Sequence, residues 1–167
     1  MEIKIRKFQE KDIPLKVKWI NDEKNNKYLH YDLPLREDKT IKWFKTLENR
    51  TERFDCTILC DGIPVGLIGL LNIDIEKKSA EYYVCLGDHN FKGKGVASVA
   101  TNELLKVANE EFKLEEIYLY TEVDNISAQK LFERIGFKNK KLIKNDLFYQ
   151  GKNIDRYFYA FNLRNLF

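Results

Sequence analysis

Alternation opens the chain. Ile3 and Ile5 sit between Glu2, Lys4 and Arg6, the period of two expected of a half-buried strand. The period then lengthens. IPLKVKWIND reads as a short helix, and Asp38 stands where it could cap a second one, whose Ile41, Phe44 and Leu47 repeat at helical spacing. Two apolar runs, RFDCTILC and IPVGLIGLLNID, flank Asp61-Gly62, a dipeptide that supplies the positive φ angles of a tight hairpin turn. SAEYYVCL, rich in aromatic and β-branched residues, reads as a fourth strand. A longer helix follows, with Val96, Val99, Ala100, Leu104, Val107 and Ala108 on one face, and EEIYLYTEV is a fifth strand. A short helix begins near Asp124 or Asn125, buries Ala128, Leu131 and Ile135, and stops at Gly136. The chain closes as a hairpin turning at Gln150-Gly151. The order β-α-α-β-β-β-α-β-α-β-β predicts an α/β fold, a mixed and mostly antiparallel twisted sheet flanked by helices.

Composition narrows the function classes. At 167 residues the chain is expected to form one domain over residues 1–167, and 44% hydrophobic residues with three prolines argue against disorder. The net charge of +3 is small and scattered, which gives no support for a nucleic-acid partner and mildly favours an anionic ligand. MEIKIRKFQEKD lacks the apolar core of a signal peptide, and GIPVGLIGLL is too short and too interrupted to span a bilayer. The expectation is a soluble cytoplasmic protein without a membrane partner, a monomer or homodimer. Cys56, Cys60 and Cys85 lie in apolar runs, and with only His30 and His89 beside them a zinc site would need an unusual ligand set. Buried reduced thiols and no metal are expected.

The stretch NFKGKGVASVATNEL carries the first chemical signal. A glycine-rich turn running into a helix lets backbone N–H groups approach an anion, and the helix dipole favours negative charge there. Lys92, Gly93, Lys94, Gly95, Val96 and Ala97 fit that requirement, with Lys92 and Lys94 adding positive charge. No Gly-Lys-Ser/Thr follows a four-residue spacer as in a Walker loop, and the third glycine of a dinucleotide fingerprint is missing.

Together with the order of elements, AEYYVCLGDHNFKGKGVA, IYLYTEV, NISAQKLFERIGF and NDLFYQGKNIDRYFYAF resemble the GNAT superfamily of N-acetyltransferases over nearly the full chain. The resemblance implies a GNAT-like fold and acetyl-CoA as donor. The pyrophosphate would lie on the N–H groups of Lys92 to Ala97, and the pantetheine arm along Val84, Cys85 and Leu86. Asn125 would hydrogen-bond the cofactor arm, Lys130 would reach the nucleotide phosphate, and Phe132 would pack against the cofactor. Two positions depart from the pattern. Asn90 stands where relatives carry Arg or Gln, and Phe132 stands where many carry the tyrosine that protonates the leaving thiolate. Tyr82, Tyr83, Tyr118 and Tyr120 are the substitutes at hand, with Tyr120 taken forward; strand alternation keeps them from all facing one way, and water is the further donor.

An amine must lose its proton before it attacks a thioester, at a cost of roughly 4 to 5 kcal/mol at neutral pH for an ordinary alkyl ammonium. Glu81 is the candidate base, at a common acidic position of relatives, ahead of Glu122 and His89. The acceptor, a small-molecule amine, would be held by NNKYLHYDLP, where Tyr28, His30, Tyr31 and Asp32 offer rings and hydrogen bonds. The WIND segment at Trp19–Asp22 resembles the subgroup that acetylates nucleotide-linked amino sugars, and less closely ribosomal-protein N-terminal and polyamine acetyltransferases. A nucleotide-linked 4-amino sugar is the first expectation, and a non-catalytic acyl-CoA-binding module the competing class.

Overall fold

A computed structural model describes residues 1–165. The first strand, β1 (Ile3–Lys7), leads into α1 (Ile13–Asn21), a single turn α2 (Glu23–Asn26) and α3 (Glu37–Thr46). Three antiparallel strands follow, β2 (Phe54–Cys60), β3 (Ile63–Asp74) and β4 (Ser79–Leu86). After them come α4 (Val96–Glu110), β5 (Glu116–Glu122), α5 (Ile126–Ile135), β6 (Lys138–Tyr149) and β7 (Lys152–Asn162). The strands form one sheet in the order β1-β2-β3-β4-β5-β7-β6, antiparallel except where β4 meets β5. The expected mixed sheet flanked by helices is therefore present.

Both hairpins turn where the sequence placed them. Asp61 and Gly62 hold φ of 50° and 81°, and Gln150 and Gly151 hold 51° and 76°, the paired positive angles that match the twist of the flanking strands. The sheet buries both faces. Against one, α4 and α5 pack Val96, Ala100, Leu104, Leu105 and Phe132 onto Ile68, Ala80, Tyr82 and Ile117. Against the other, Phe8, Ile13, Trp19 and Ile20 gather over Leu67, with α3 adding Trp43 and Phe44.

Three details differ from the sequence reading. The extended residue before α3 is Arg36, so Asp38 falls inside the first turn, where its carboxylate pairs with Arg36 at 3.0 Å. Val99 is 44% exposed, because Thr101 and Leu105 complete the buried face of α4 in its place. The turn α2 was not anticipated; Asp22 starts it by accepting from the Lys24 amide at 3.0 Å. Cys56 and Cys60 are buried free thiols, and burial pushes the Cys56 thiol up to about 12. No helix among the described residues is long and apolar enough to cross a membrane.

Candidate active site

The central event of the sheet is a parting of strands. β4 pairs with β5 at Ser79–Glu81 only, opposite Glu116–Tyr118, while its whole length from Ser79 to Leu86 follows β3. Beyond Glu81 and Tyr118 the two strands diverge, and the inner backbone edge of β4 loses its partner strand. A cleft of about 780 Å³ fills the opening. Val84, Cys85 and Leu86 line one wall, Leu119 to Glu122 the other, and Ala128, Leu131 and Phe132 of α5 the base. Burial pushes the Cys85 thiol up to about 11, which keeps it protonated and unreactive.

At the far end of β4 the chain turns through the glycine-rich loop into α4. Gly93 and Gly95 take φ of 75° and 80°, and a Cβ added at either would meet no atom within 4 Å. Both therefore need glycine for conformation. Their open sides leave room for a close ligand. Gly95 is the residue before α4 and offers no side-chain cap, so the first-turn N–H groups of Val96, Ala97 and Ser98 have no protein acceptor from that position. That is a cradle suited to a pyrophosphate.

The loop is braced from beneath by α1 and α2. Trp19 lies so close under Gly87 that a Cβ there would sit 2.2 Å from its Cγ. Asn25 donates to the carbonyls of Trp19 and Gly87, both at 3.1 Å, and accepts from the Lys92 ammonium at 3.0 Å. His89 Nε2 lies 2.9 Å from the Asp22 carboxylate. WIND and His89 thus hold the cradle rather than the acceptor. Lys94 and Lys130 are exposed and stand outside the cleft lining, Lys94 with its ammonium 5.8 Å from the Phe91 ring. Neither side chain lines the cleft, while the Lys94 backbone N–H remains part of the loop. Asn125 lines the cleft but spends its side-chain oxygen on the Ala128 amide, at 3.3 Å, as the cap of α5.

The expected proton donors separate by face. Tyr82 faces α4 and α5, buried, 2.6 Å from the Thr101 hydroxyl. Tyr83 faces the other way and crosses β3 to donate to Asp55 at 2.5 Å. Gly69 makes that crossing feasible: a Cβ there would fall 2.6 Å from the Tyr83 ring. Burial, then the Asp55 charge, push the Tyr83 phenol far up, so its proton is held. Tyr118 stands in register with Glu81 and packs edge-on to Tyr120 at 6.0 Å. Of these tyrosines, Tyr82, Tyr83 and Tyr120 line the cleft; Tyr82 is bonded to Thr101 and Tyr83 to Asp55, which leaves Tyr120 as the one with an uncommitted hydroxyl. Phe132 is 8% exposed and packs against Tyr82, Phe137 and Tyr159, so it serves the core as well as the cleft base.

Glu81 sits at the fork itself. Half-buried, its carboxyl is pushed up by burial, while a hydrogen bond from Asn72 at 3.2 Å and the nearby Arg156 pull it back. Beside it, the expected acceptor residues Tyr28, His30 and Tyr31 all line the cleft, whereas Asp32 is exposed and outside it. Tyr28 donates to the Asp124 carbonyl at 3.1 Å, and His30 Nε2 lies 2.8 Å from Glu122. Glu122 is thus committed to His30. Tyr149 of the last hairpin clasps the segment, donating to the Tyr31 carbonyl and meeting the His30 ring edge-on at 5.1 Å. Burial pushes the Tyr31 phenol up to about 12.

Arg53, Arg134 and Arg156 also line the cleft, and the sequence reading passed over all three. For Arg134 a signal existed: Ser127, Leu131 and Arg134 repeat along one face of α5. For Arg53 and Arg156 none did, because each enters the site through strand pairings distant in sequence.

With this geometry in place, comparison with known proteins is informative. The model of the acetyltransferase (GNAT) domain matches residues 2–138. YdaF of Bacillus subtilis, a proposed ribosomal N-acetyltransferase, is 30% identical over 105 residues, 62% of this chain and 56% of that protein. The L-amino acid N-acetyltransferase AaaT of Escherichia coli is 26% identical over 123 residues, covering 71% of this chain and 74% of that one. Spermidine N-acetyltransferase from Vibrio cholerae, solved in complex with CoA and spermine, superposes with a TM-score of 0.89 at 20% identity over 97% of this chain and 96% of that one. At that identity the likeness shows a shared fold.

Replacing Gly93 by Val should weaken CoA binding by about tenfold or more in calorimetry and cost about 1 to 3 kcal/mol through backbone strain. Gly62→Val is the control. Gly62 has a similar φ of 81° and equally open surroundings in the β2–β3 turn, so it should carry the strain and leave CoA affinity unchanged. Equal CoA affinity in both variants would reduce the cradle to an ordinary loop.

Proposed function

The chain belongs to the GNAT acetyltransferases, and on that premise we propose that it transfers the acetyl group of acetyl-CoA to a primary amine of a small acceptor. The observation that carries this reading is Glu81, a half-buried carboxylate at the fork between cradle and acceptor segment. Acetyl-CoA would supply the acetyl thioester, with the N–H groups of residues 93–98 holding its phosphates and Val84 to Leu86 its arm.

Glu81 receives the proton of the incoming ammonium, directly or through one water. A carboxylate whose burial raises its proton affinity does this better than an exposed one, because the donor and acceptor affinities are then closer. The freed amine attacks the thioester carbonyl, the carbon–sulfur bond breaks, and the departing thiolate takes a proton. Tyr120 is the donor we assign, on its place in the cleft and its free hydroxyl. Burial raises the affinity of the Cys85 thiol for its proton, which disfavours it as an acetyl carrier.

The acceptor has two readings. A nucleotide-linked 4-amino sugar suits the aromatic and hydrogen-bonding segment Tyr28–Tyr31. The polyamine reading rests on the spermidine acetyltransferases among the structural relatives.

Glu81→Gln should lower turnover about a hundredfold at neutral pH with acetyl-CoA affinity unchanged, and the deficit should shrink as pH approaches the amine's own value. Stability should move the opposite way. Because the folded-state affinity of Glu81 for protons is raised, its ionisation opposes folding above the unfolded value of about 4.3. Glu81→Gln should therefore be the more stable protein at neutral pH, with the difference vanishing below that value. A pH-independent loss of rate would make Glu81 a binding residue.

Tyr120→Phe should lower kcat by about tenfold to a hundredfold and leave KM for the acceptor near its original value. An unchanged kcat would assign the proton to water.

A further inference from the structure

The acceptor half of the cleft holds two arginines, Arg53 and Arg156, each paired with a carboxylate, Asp55 and Asp146. Lys24, Lys27, Arg53, Lys92, Arg134 and Arg156 line the cleft against two carboxylates, Glu81 and Glu122. Glu122 is tied to His30. Lys92 and Arg134 stand near the cradle and α5, on the cofactor side. Arg53 and Arg156 lie on the sheet face that Glu81 shares, on opposite sides of it, as strand register requires: Arg53 precedes Phe54, which pairs with Leu70, and Arg156 pairs with Glu122.

The two guanidinium groups are not equivalent. Arg53 is held by Asp55 through both Nε and Nη2, at 2.7 and 2.8 Å, so its planar fork is filled. Arg156 gives Asp146 only its Nε, at 2.8 Å. Among the described residues its terminal nitrogens donate to no protein group. Its guanidinium carbon lies 4.8 Å from the centre of the Tyr120 ring, a cation–π contact that helps to hold it in place. Asp146 lies behind it, outside the cleft lining. Arg156 is also near enough to Glu81 to offset part of what burial does to that carboxyl. A guanidinium fixed on two sides, with its outer donors free, is built to take a planar or tetrahedral oxyanion.

We propose that the acceptor is a primary amine that also carries an anionic group, a carboxylate or a phosphate, received on the free edge of Arg156 while its amine faces Glu81. This inference rests on the acetyltransferase reading above and narrows its acceptor. The residue responsible lies beyond the stretch that the family model matches, residues 2–138, in the hairpin that clasps the acceptor segment through Tyr149. Spermidine carries no oxyanion to accept from the terminal nitrogens of Arg156 and would leave them unpaired.

The test uses four primary amines of one chain length, ending in a carboxylate, a phosphate monoester, a neutral carboxamide or a second amine. Release of CoA and product mass are read for each. The carboxylate or the phosphate should exceed the amide and the diamine by about tenfold or more in kcat/KM, and the better of the two identifies the source of the anion. Arg156→Gln should erase that preference by raising KM for the anionic acceptor about tenfold, with the amide changed by less than about threefold. Arg156→Lys should keep part of the preference, since it retains charge without the fork. CoA affinity equal to that of the parent protein reports an intact fold in both variants. Equal losses for every acceptor, or a diamine that outperforms both anions, would overturn the anionic acceptor and leave the acetyltransferase standing. No CoA release with any of the four would overturn both.

Discussion

Everything in the site follows from a pairing that stops early. β4 and β5 share only Ser79–Glu81 and Glu116–Tyr118 before they part. Backbone donors and acceptors buried without partners cost free energy, so a sheet does not open in its middle without compensation. Here β4 stays paired with β3 from Glu81 to Leu86, beyond a bulge between Leu71 and Asp74, and β5 with β7, while α5 fills the space below the fork. The inner edge of β4 is left as a strand edge facing a cleft, ready to bond an extended amide-bearing chain, which is what a pantetheine arm is. The fork also sets the positions of the chemistry. The last paired residue is Glu81, so the carboxylate stands where the cofactor arm would end.

The two sides of the sheet divide the work. The face under α4 and α5 is apolar and holds the strands apart: Tyr82, Phe132, Phe137 and Tyr159 interlock there with ring centres about 5.5 to 6.3 Å from one another. The opposite face carries a polar system reaching from Asp55 through Tyr83, at 2.5 Å, with Arg53 bonded to the same carboxylate. Buried polar groups of this kind fix geometry only when each is satisfied, and no buried side-chain nitrogen or oxygen among the described residues lacks a partner. The rigid polar face is what allows Arg156 and Glu81, opposite in sign and close together, to remain distinct: Arg156 is neutralised from behind by Asp146 rather than by Glu81.

Much of this was legible in the sequence because it is local. The hairpins at Asp61-Gly62 and Gln150-Gly151 announce themselves by residues that accept positive φ, and the cradle by Gly93 and Gly95. Glu81, Val84 and Cys85 could be placed because the resemblance rests on a continuous stretch of sequence, β4 and the loop after it. What stayed hidden is non-local. The brace of Trp19 beneath Gly87, the crossing of Tyr83 over Gly69 and the arrival of Arg156 beside Tyr120 join positions far apart in the chain. WIND illustrates the difference. It resembles a subgroup named for its acceptor, but the structure spends Asp22 on His89 and Asn21 on the backbone of Leu35. Lys94 and Lys130 erred the same way, since a positive charge near a motif need not point into it.

The central claim, that the fork between β4 and β5 is the cofactor site, is tested most directly by amide hydrogen exchange with and without CoA. The account predicts slowed exchange in residues 83–86 and 93–98, with β1, β2 and the β6–β7 turn unchanged. Unaltered exchange along β4 under saturating CoA, or protection confined to the surface of α5, would contradict it.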